Sequence, residues 1–279
     1  MELDSDPHIL LTNDDGIDAP GIRALHDALS AVGTVTVVAP DRNRSAVGRS
    51  LSYGRTGSST DDDLSLDLAA DSFTAAVPHT DHELGYAIDG TPCDCAIVGA
   101  KALEPAPDIV VSGCNSGANL GAYVFSRSGT VSAAMEAAFL GTPSIAVSMD
   151  TLGYDVALEP TDFERAGEIA AALVGGAAGT GLFDRVDYLN VNVPRPDCEP
   201  NGVAITRPTE VYEMDAAFEN GGFELTNRLW QQMANRDIPD DEDTDRHALL
   251  EEAVSVSPLR VPYDVVDTEP VRRILGDVL

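Results

Sequence analysis

A chain of 279 residues, 43% of them hydrophobic, can bury a full core as one large α/β domain or as a domain with an appendage. Its formal charge of −30, from 47 acidic against 17 basic residues, argues against a nucleic-acid polymer or an anionic membrane as partner, because such a field repels polyanions. No apolar run approaches the ~20 residues that span a bilayer, and the acidic first residues carry no leader pattern, so a cytoplasmic protein is expected.

Residues 8–12 form a short apolar run bounded by turn formers, the pattern of a strand buried in a parallel sheet. Asn13, Asp14, Asp15 and Gly16 make the turn after it, and a helix follows over 20–30 with Pro20 in its first turn. A second β-branched strand is expected over 34–39, then a loop over 40–50 rich in Gly, Ser and Arg. Residues 51–85 are polar, include the run SSTDDD, and show no clear period, so they read as hairpins or an exposed excursion. A short strand over 86–88 leads to a helix over 91–102, with Thr91 as N-cap and Pro92 at its first position. A third buried strand, 108–112, runs into a glycine-rich loop at 113–128, which is followed by a helix over 129–140 and a strand over 144–148. Beyond about Arg195 the pattern changes to short strands, a helix-like stretch at 226–235 and the acidic run 240–245. The expected architecture is a Rossmann-like, doubly wound α/β core over 1–195. A C-terminal extension over 196–279 would serve as an oligomerisation arm.

In open α/β sheets ligands bind outside the carboxyl ends of the strands, so Asp14 and Asp15 should face the ligand crevice. The plain alternative, an Asp pair that only caps the next helix, carries about even odds for this motif alone. Ser45 in the second loop and Asn115 in the third add a hydroxyl and an amide oxygen. Four protein oxygens completed by water suit a hard cation, Mg²⁺ or Mn²⁺, rather than zinc. Ser128, Gly129 and Thr130 open the 129–140 helix, whose N–H groups and dipole can hold a phosphate. The spacing of Gly113, Gly117 and Gly121 matches neither a dinucleotide fingerprint nor a P-loop. Arg42, Arg44, Arg49 and Arg55, with Arg127, read as a positive island that draws an anionic substrate to the site. Cys93, Cys95, Cys114 and Cys198 have no zinc or disulfide spacing, and none of the five histidines is placed to act as a base.

Lys101 is the one lysine among the 17 cations, and acids are spread along the whole chain, a pattern that fits a salt-adapted cytosol. High salt screens self-repulsion, so the thermal midpoint should fall steeply as KCl is diluted from molar to millimolar. Full stability in dilute buffer would contradict this.

Seven blocks in order carry a family pattern: LLTNDDGIDAPG, APDRNRSAVG, DGTPCDC, VVSGCNSGANLG, SGTVSAAMEAAFLGTPSIAVS, YLNVNVP and TDRHALLEEAVSVSPL. Together they resemble the SurE family of metal-dependent nucleotidases. The resemblance implies a Rossmann-like core and hydrolysis of nucleoside 5′- and 3′-monophosphates to nucleoside and phosphate. It implies one Mg²⁺ or Mn²⁺ ion on Asp14, Asp15, Ser45 and Asn115. A carboxylate beside such an ion lies within reach of its water, so Asp14 or Asp15 could also take a proton from it. Asn13, Ser128, Gly129 and Thr130 occupy the positions of the family's phosphate contacts. It also implies a homodimer or homotetramer with exchanged C-terminal arms. The chain departs from the pattern at 55–85, which is longer than usual, and at 122–127, which carries one extra residue. Two other readings stand beside this one. An aspartyl-phosphate phosphatase would need D-x-D-G and a downstream lysine. A nucleotide-binding regulatory module without turnover would need no Asp pair facing a cation.

Overall fold

The computed structural model describes residues 6–52, 76–219 and 221–261. The SSTDDD run, Arg55 and the last residues of the expected C-terminal arm lie outside the described residues.

The first half alternates strand and helix as its hydrophobic pattern dictates: β1 (His8–Thr12), α1 (Pro20–Leu29), β2 (Thr34–Pro40), the hairpin β3 (His79–His82) and β4 (Gly85–Ile88), and α2 (Pro92–Lys101). Thr91 and Asp94 form a reciprocal capping box that starts α2, with Asp94 N donating to Thr91 Oγ1 at 3.1 Å and Thr91 N to Asp94 Oδ2 at 2.7 Å. The same Asp94 carboxylate accepts the Ser52 hydroxyl at 2.7 Å, which fixes the end of the arginine-rich loop against α2. The chain continues through β5 (Ile109–Ser116), α3 (Ala122–Phe125), α4 (Gly129–Phe139), β6 (Ser144–Met149), α5 (Glu164–Ala177) and β7 (Tyr188–Val193). Its last part holds β8 (Val203–Ile205), β9 (Met214–Glu219), β10 (Gly222–Asn227), α6 (Leu229–Ala234), α7 (Asp245–Leu250) and β11 (Val254–Leu259).

Nine strands make one sheet in the order β3-β4-β2-β1-β5-β6-β7-β11-β8, parallel except at β3–β4 and β7–β11. This is the expected mixed α/β fold with a large, mostly parallel sheet. Helices α1 and α5 pack together on one face, and α2 and α4 on the other. Ile9, Leu11, Val111 and Ile145 supply the core toward α1 and α5, while Leu10, Val38 and Val110 face α2, as strand alternation requires. The chain leaves β1 through α1 toward β2 and leaves β5 through α4 toward β6. The gap between the carboxyl ends of β1 and β5 is therefore the switch point where such sheets bind ligands.

Two expectations need correction. The third strand does not stop at Ser112: β5 runs on to Ser116, with a register shift between Ser112 and Asn115. Glycine is required there, because Gly113 has φ 140° and a Cβ would lie 2.2 Å from the Val147 carbonyl oxygen. The helix-like stretch 226–235 is divided between the end of β10 and the six-residue α6. Two strands from beyond Arg195, β8 and β11, join the sheet beside β7. Finally, α5, absent from the sequence reading, packs on α1.

Candidate active site

At the switch point β1 ends in the turn 13–16. Asn13 closes it: its Nδ2 donates to Gly16 O at 2.8 Å and its Oδ1 accepts Gly16 N at 3.2 Å. That leaves one N–H of the amide for a ligand. The turn presents Asp14 and Asp15 in different settings.

Asp14 is 3% exposed. The Thr130 hydroxyl donates to its Oδ1 at 2.5 Å, and the Thr130 backbone N–H bonds it as well. The N-terminus of α4 thus meets this carboxylate. Gly129 permits the approach, since a Cβ there would lie 2.6 Å from Asp14 Cβ. Burial pushes the Asp14 carboxyl up to about 6; the Thr130 hydrogen bond opposes this, and the neighbouring Asp15 charge adds to it. Asp15 is partly exposed. Its Oδ1 accepts Asn43 Nδ2 at 3.1 Å, its Oδ2 accepts Ser116 N at 3.0 Å, and the Ser45 side chain bonds it too. Its carboxyl is also raised by burial, against these hydrogen bonds.

Asn115 uses its Nδ2 on Gly117 O at 2.5 Å, so its carbonyl oxygen is the atom left for a cation. Ser128 N-caps α4 by accepting Val131 N at 3.2 Å, and its own hydroxyl proton stays free to donate. The structure thus brings Asp14, Asp15, Ser45, Asn115 and the 128–130 segment to one strand edge. It spends the Thr130 hydroxyl on Asp14. Among the described residues no group of three or more His, Cys, Asp or Glu side chains is placed to hold a metal ion by itself, and neither Asp14 nor Asp15 has an ion pair. Two adjacent carboxylates without a cationic neighbour, ringed by hydroxyl and amide oxygens, have the donor chemistry of a hard divalent cation.

The sequence reading missed Asn43 and Ser116, which orient Asp15. Asn43 was visible two residues before Ser45, whereas Ser116 acts through its backbone and left no sequence signal. The arginine island also needs correction. Arg42 and Arg44 pair with Asp41 and Asp89, and Arg49 pairs with Glu136, so their charge is neutralised locally. Arg127 donates to the Tyr212 hydroxyl at 2.8 Å and lies over the Tyr212 and Tyr123 rings.

The family model described as Survival protein SurE matches residues 9–215. The chain belongs to the SurE family. A Halobacterium salinarum protein named 5′-nucleotidase SurE is 50% identical over 266 residues, 94% of each chain. A Natronomonas pharaonis protein of the same name is 49% identical over 267 residues, 94% of this chain and 95% of the relative. A Pelobacter propionicus 5′-nucleotidase SurE is 39% identical over 260 residues, 91% and 93% of the two chains. The crystal structure of the SurE protein from Aquifex aeolicus superposes with TM-score 0.74 at 33% identity, covering 97% of this chain and all 100% of that one. No described helix of this SurE-family chain is long and apolar enough to cross a membrane.

The buried Asp14 gives the SurE-family site a definite pH signature. Its cation-free folded pKa of about 6 lies above the ordinary 3.8, so between those values the folded protein holds a proton that the unfolded chain has released. Stability from this group is complete below about pH 4 and is lost as pH rises through about 6, by about 3 kcal/mol. In EDTA, the midpoint of denaturant unfolding should fall over that range in the wild type, and less steeply in Asp14→Asn. Identical slopes would show that Asp14 ionises normally.

Proposed function

We infer that this chain is a 5′-nucleotidase, a phosphoric monoester hydrolase that cleaves nucleoside monophosphates to nucleoside and phosphate. In this reading one Mg²⁺ or Mn²⁺ is held by Asp14, Asp15, Ser45 and Asn115, and the phosphate by Ser128, Gly129 and the free N–H of Asn13. The observation that carries it is the meeting of two unpaired carboxylates with a helix N-terminus at the switch point of a SurE-family sheet. The nucleotidase activity is supported by relatives named 5′-nucleotidase SurE that align over nearly the whole chain.

The bound cation would polarise the phosphoryl oxygens and orient the attacking water. The remaining work falls to the chain. Thr130 fixes Asp14 from one side, while Asn43 and Ser116 fix Asp15 from the other, so both carboxylates are set before substrate arrives. The Ser128 hydroxyl and Gly129 N–H donate to equatorial oxygens, where charge builds in the transition state. Water attacks phosphorus as its proton passes to the Asp pair, the P–O ester bond breaks, and the departing nucleoside oxygen takes up a proton from solvent, with no covalent enzyme intermediate.

A homo-oligomer belongs to the same reading. The β9–β10 hairpin carries Phe218, Phe223 and Leu225 at 67%, 81% and 75% exposure, more apolar surface than an isolated hairpin keeps in water. Phosphate release from AMP in molar KCl, with Mn²⁺, with Mg²⁺ and with EDTA, tests the activity. Release with a divalent cation and none in EDTA is expected. Nucleotide binding without release under any condition would favour the regulatory module.

A further inference from the structure

Resting on the nucleotidase reading, we propose that the cavity beside Asp15, walled by Pro20, Leu158 and Phe163, is the subsite that receives the nucleoside part of the substrate. The cavity measures about 490 Å³, within the range of small-molecule sites. Asp15, Asn43 and Ser116 form its inner edge, so it opens directly from the carboxylate pair. Its other walls are Asp18 and Ala19 just before α1, Pro20 and Gly21 at its start, and Leu158 and Phe163 from the segment after β6. Phe163 is fully buried beneath the cavity, whereas Leu158 is half-buried on its wall.

The two flanks of the carboxylate pair have opposite chemistry. On the flank of α2 and α4, Asp14 meets the N-terminus of α4, with its hydroxyls and N–H groups. On the flank of α1 and α5, Asp15 borders a hollow whose walls away from Asp15, Asp18, Asn43 and Ser116 are apolar. A phosphomonoester of a nucleoside is divided the same way, into an anionic head and a flat, largely apolar body. With the head at α4, the open apolar volume next to the scissile bond lies at α1. The cavity of about 350 Å³ lined by Leu152, Arg195 and Met233 shares no residue with the carboxylate pair and so does not compete for this role.

Leu158→Gln makes this wall polar at similar size and adds no charge beside the carboxylates, and Leu158→Met keeps it apolar. In Leu158→Gln, KM for AMP should rise about tenfold or more, in line with the loss of one good apolar contact. Inhibition by adenosine should weaken by a similar factor. Methyl phosphate has no nucleoside to lose, so its kcat/KM should change by less than twofold, and Leu158→Met should restore AMP turnover. Parallel losses on AMP and methyl phosphate, or no loss on either, would overturn the assignment. A wild-type protein that cleaves methyl phosphate and no nucleotide would instead overturn the underlying nucleotidase reading, and this subsite with it.

Discussion

Asp14→Asn should lower phosphate release from AMP by on the order of 10³-fold while leaving the cation-free protein as stable at pH 7 as the wild type, or more so. Asparagine keeps the shape and can still accept the Thr130 hydroxyl, so the turn and the start of α4 should stay in place. What is removed is a negative charge whose burial raises its pKa to about 6 and costs the folded state up to about 3 kcal/mol at neutral pH. The same charge is what a cation would bind, and a cation at a transferring phosphoryl group contributes several kcal/mol, of which each 1.36 is tenfold in rate. Activity and stability should therefore move in opposite directions, the pattern of a site that stores strain for function. Steady-state kinetics and urea unfolding on one preparation would show both. A variant with near-wild-type rate would remove Asp14 from the chemistry.

Gly129→Ala should be nearly as damaging, by a different route. The added Cβ would lie 2.6 Å from Asp14 Cβ and 2.8 Å from its Oδ2, closer than real contacts allow, so either Asp14 or the first turn of α4 must move. Both belong to the proposed centre, and a displacement near 1 Å at a reacting group can cost about 10²-fold. Alanine is otherwise the better helix former, and Gly129 has no positive φ to lose, so the helix itself has no reason to weaken. The expected result is a loss of about 10²-fold in kcat/KM with the circular dichroism of the fold retained. Full activity would mean that the tight contact between Gly129 and Asp14 is not needed for catalysis.

The parts of this arrangement that were legible in the sequence are local. An apolar strand followed by Asn-Asp-Asp-Gly, and Ser-Gly-Thr before an apolar helix, state their own structure through strand patterning and capping. Their meeting was not legible, because the Thr130 hydroxyl reaches Asp14 across 116 residues of chain and only the sheet order joins them. The arginine loop misled for the same reason: Arg44 and Asp89 are 45 residues apart, and Arg49 and Glu136 are 87 apart, so the neutralising partners were invisible. β5 was cut short because Gly113 looked like a breaker, when it is the residue that lets the strand pass close to Val147. α5, with the sequence ERAGEIAAALVGGA, carries three glycines in its 14 residues, which weakens the helical signal; Gly167 instead lets the helix pack closely on Ala24 and Ala28 of α1.

The most direct test of the central claim is to follow Mn²⁺ binding and phosphate release from AMP on the same samples of wild type and Asp15→Asn, in molar KCl. The account predicts tight Mn²⁺ binding and cation-dependent release in the wild type, with both lost in a folded Asp15→Asn protein. Release that continues at the wild-type rate in EDTA, or in Asp15→Asn, would contradict it.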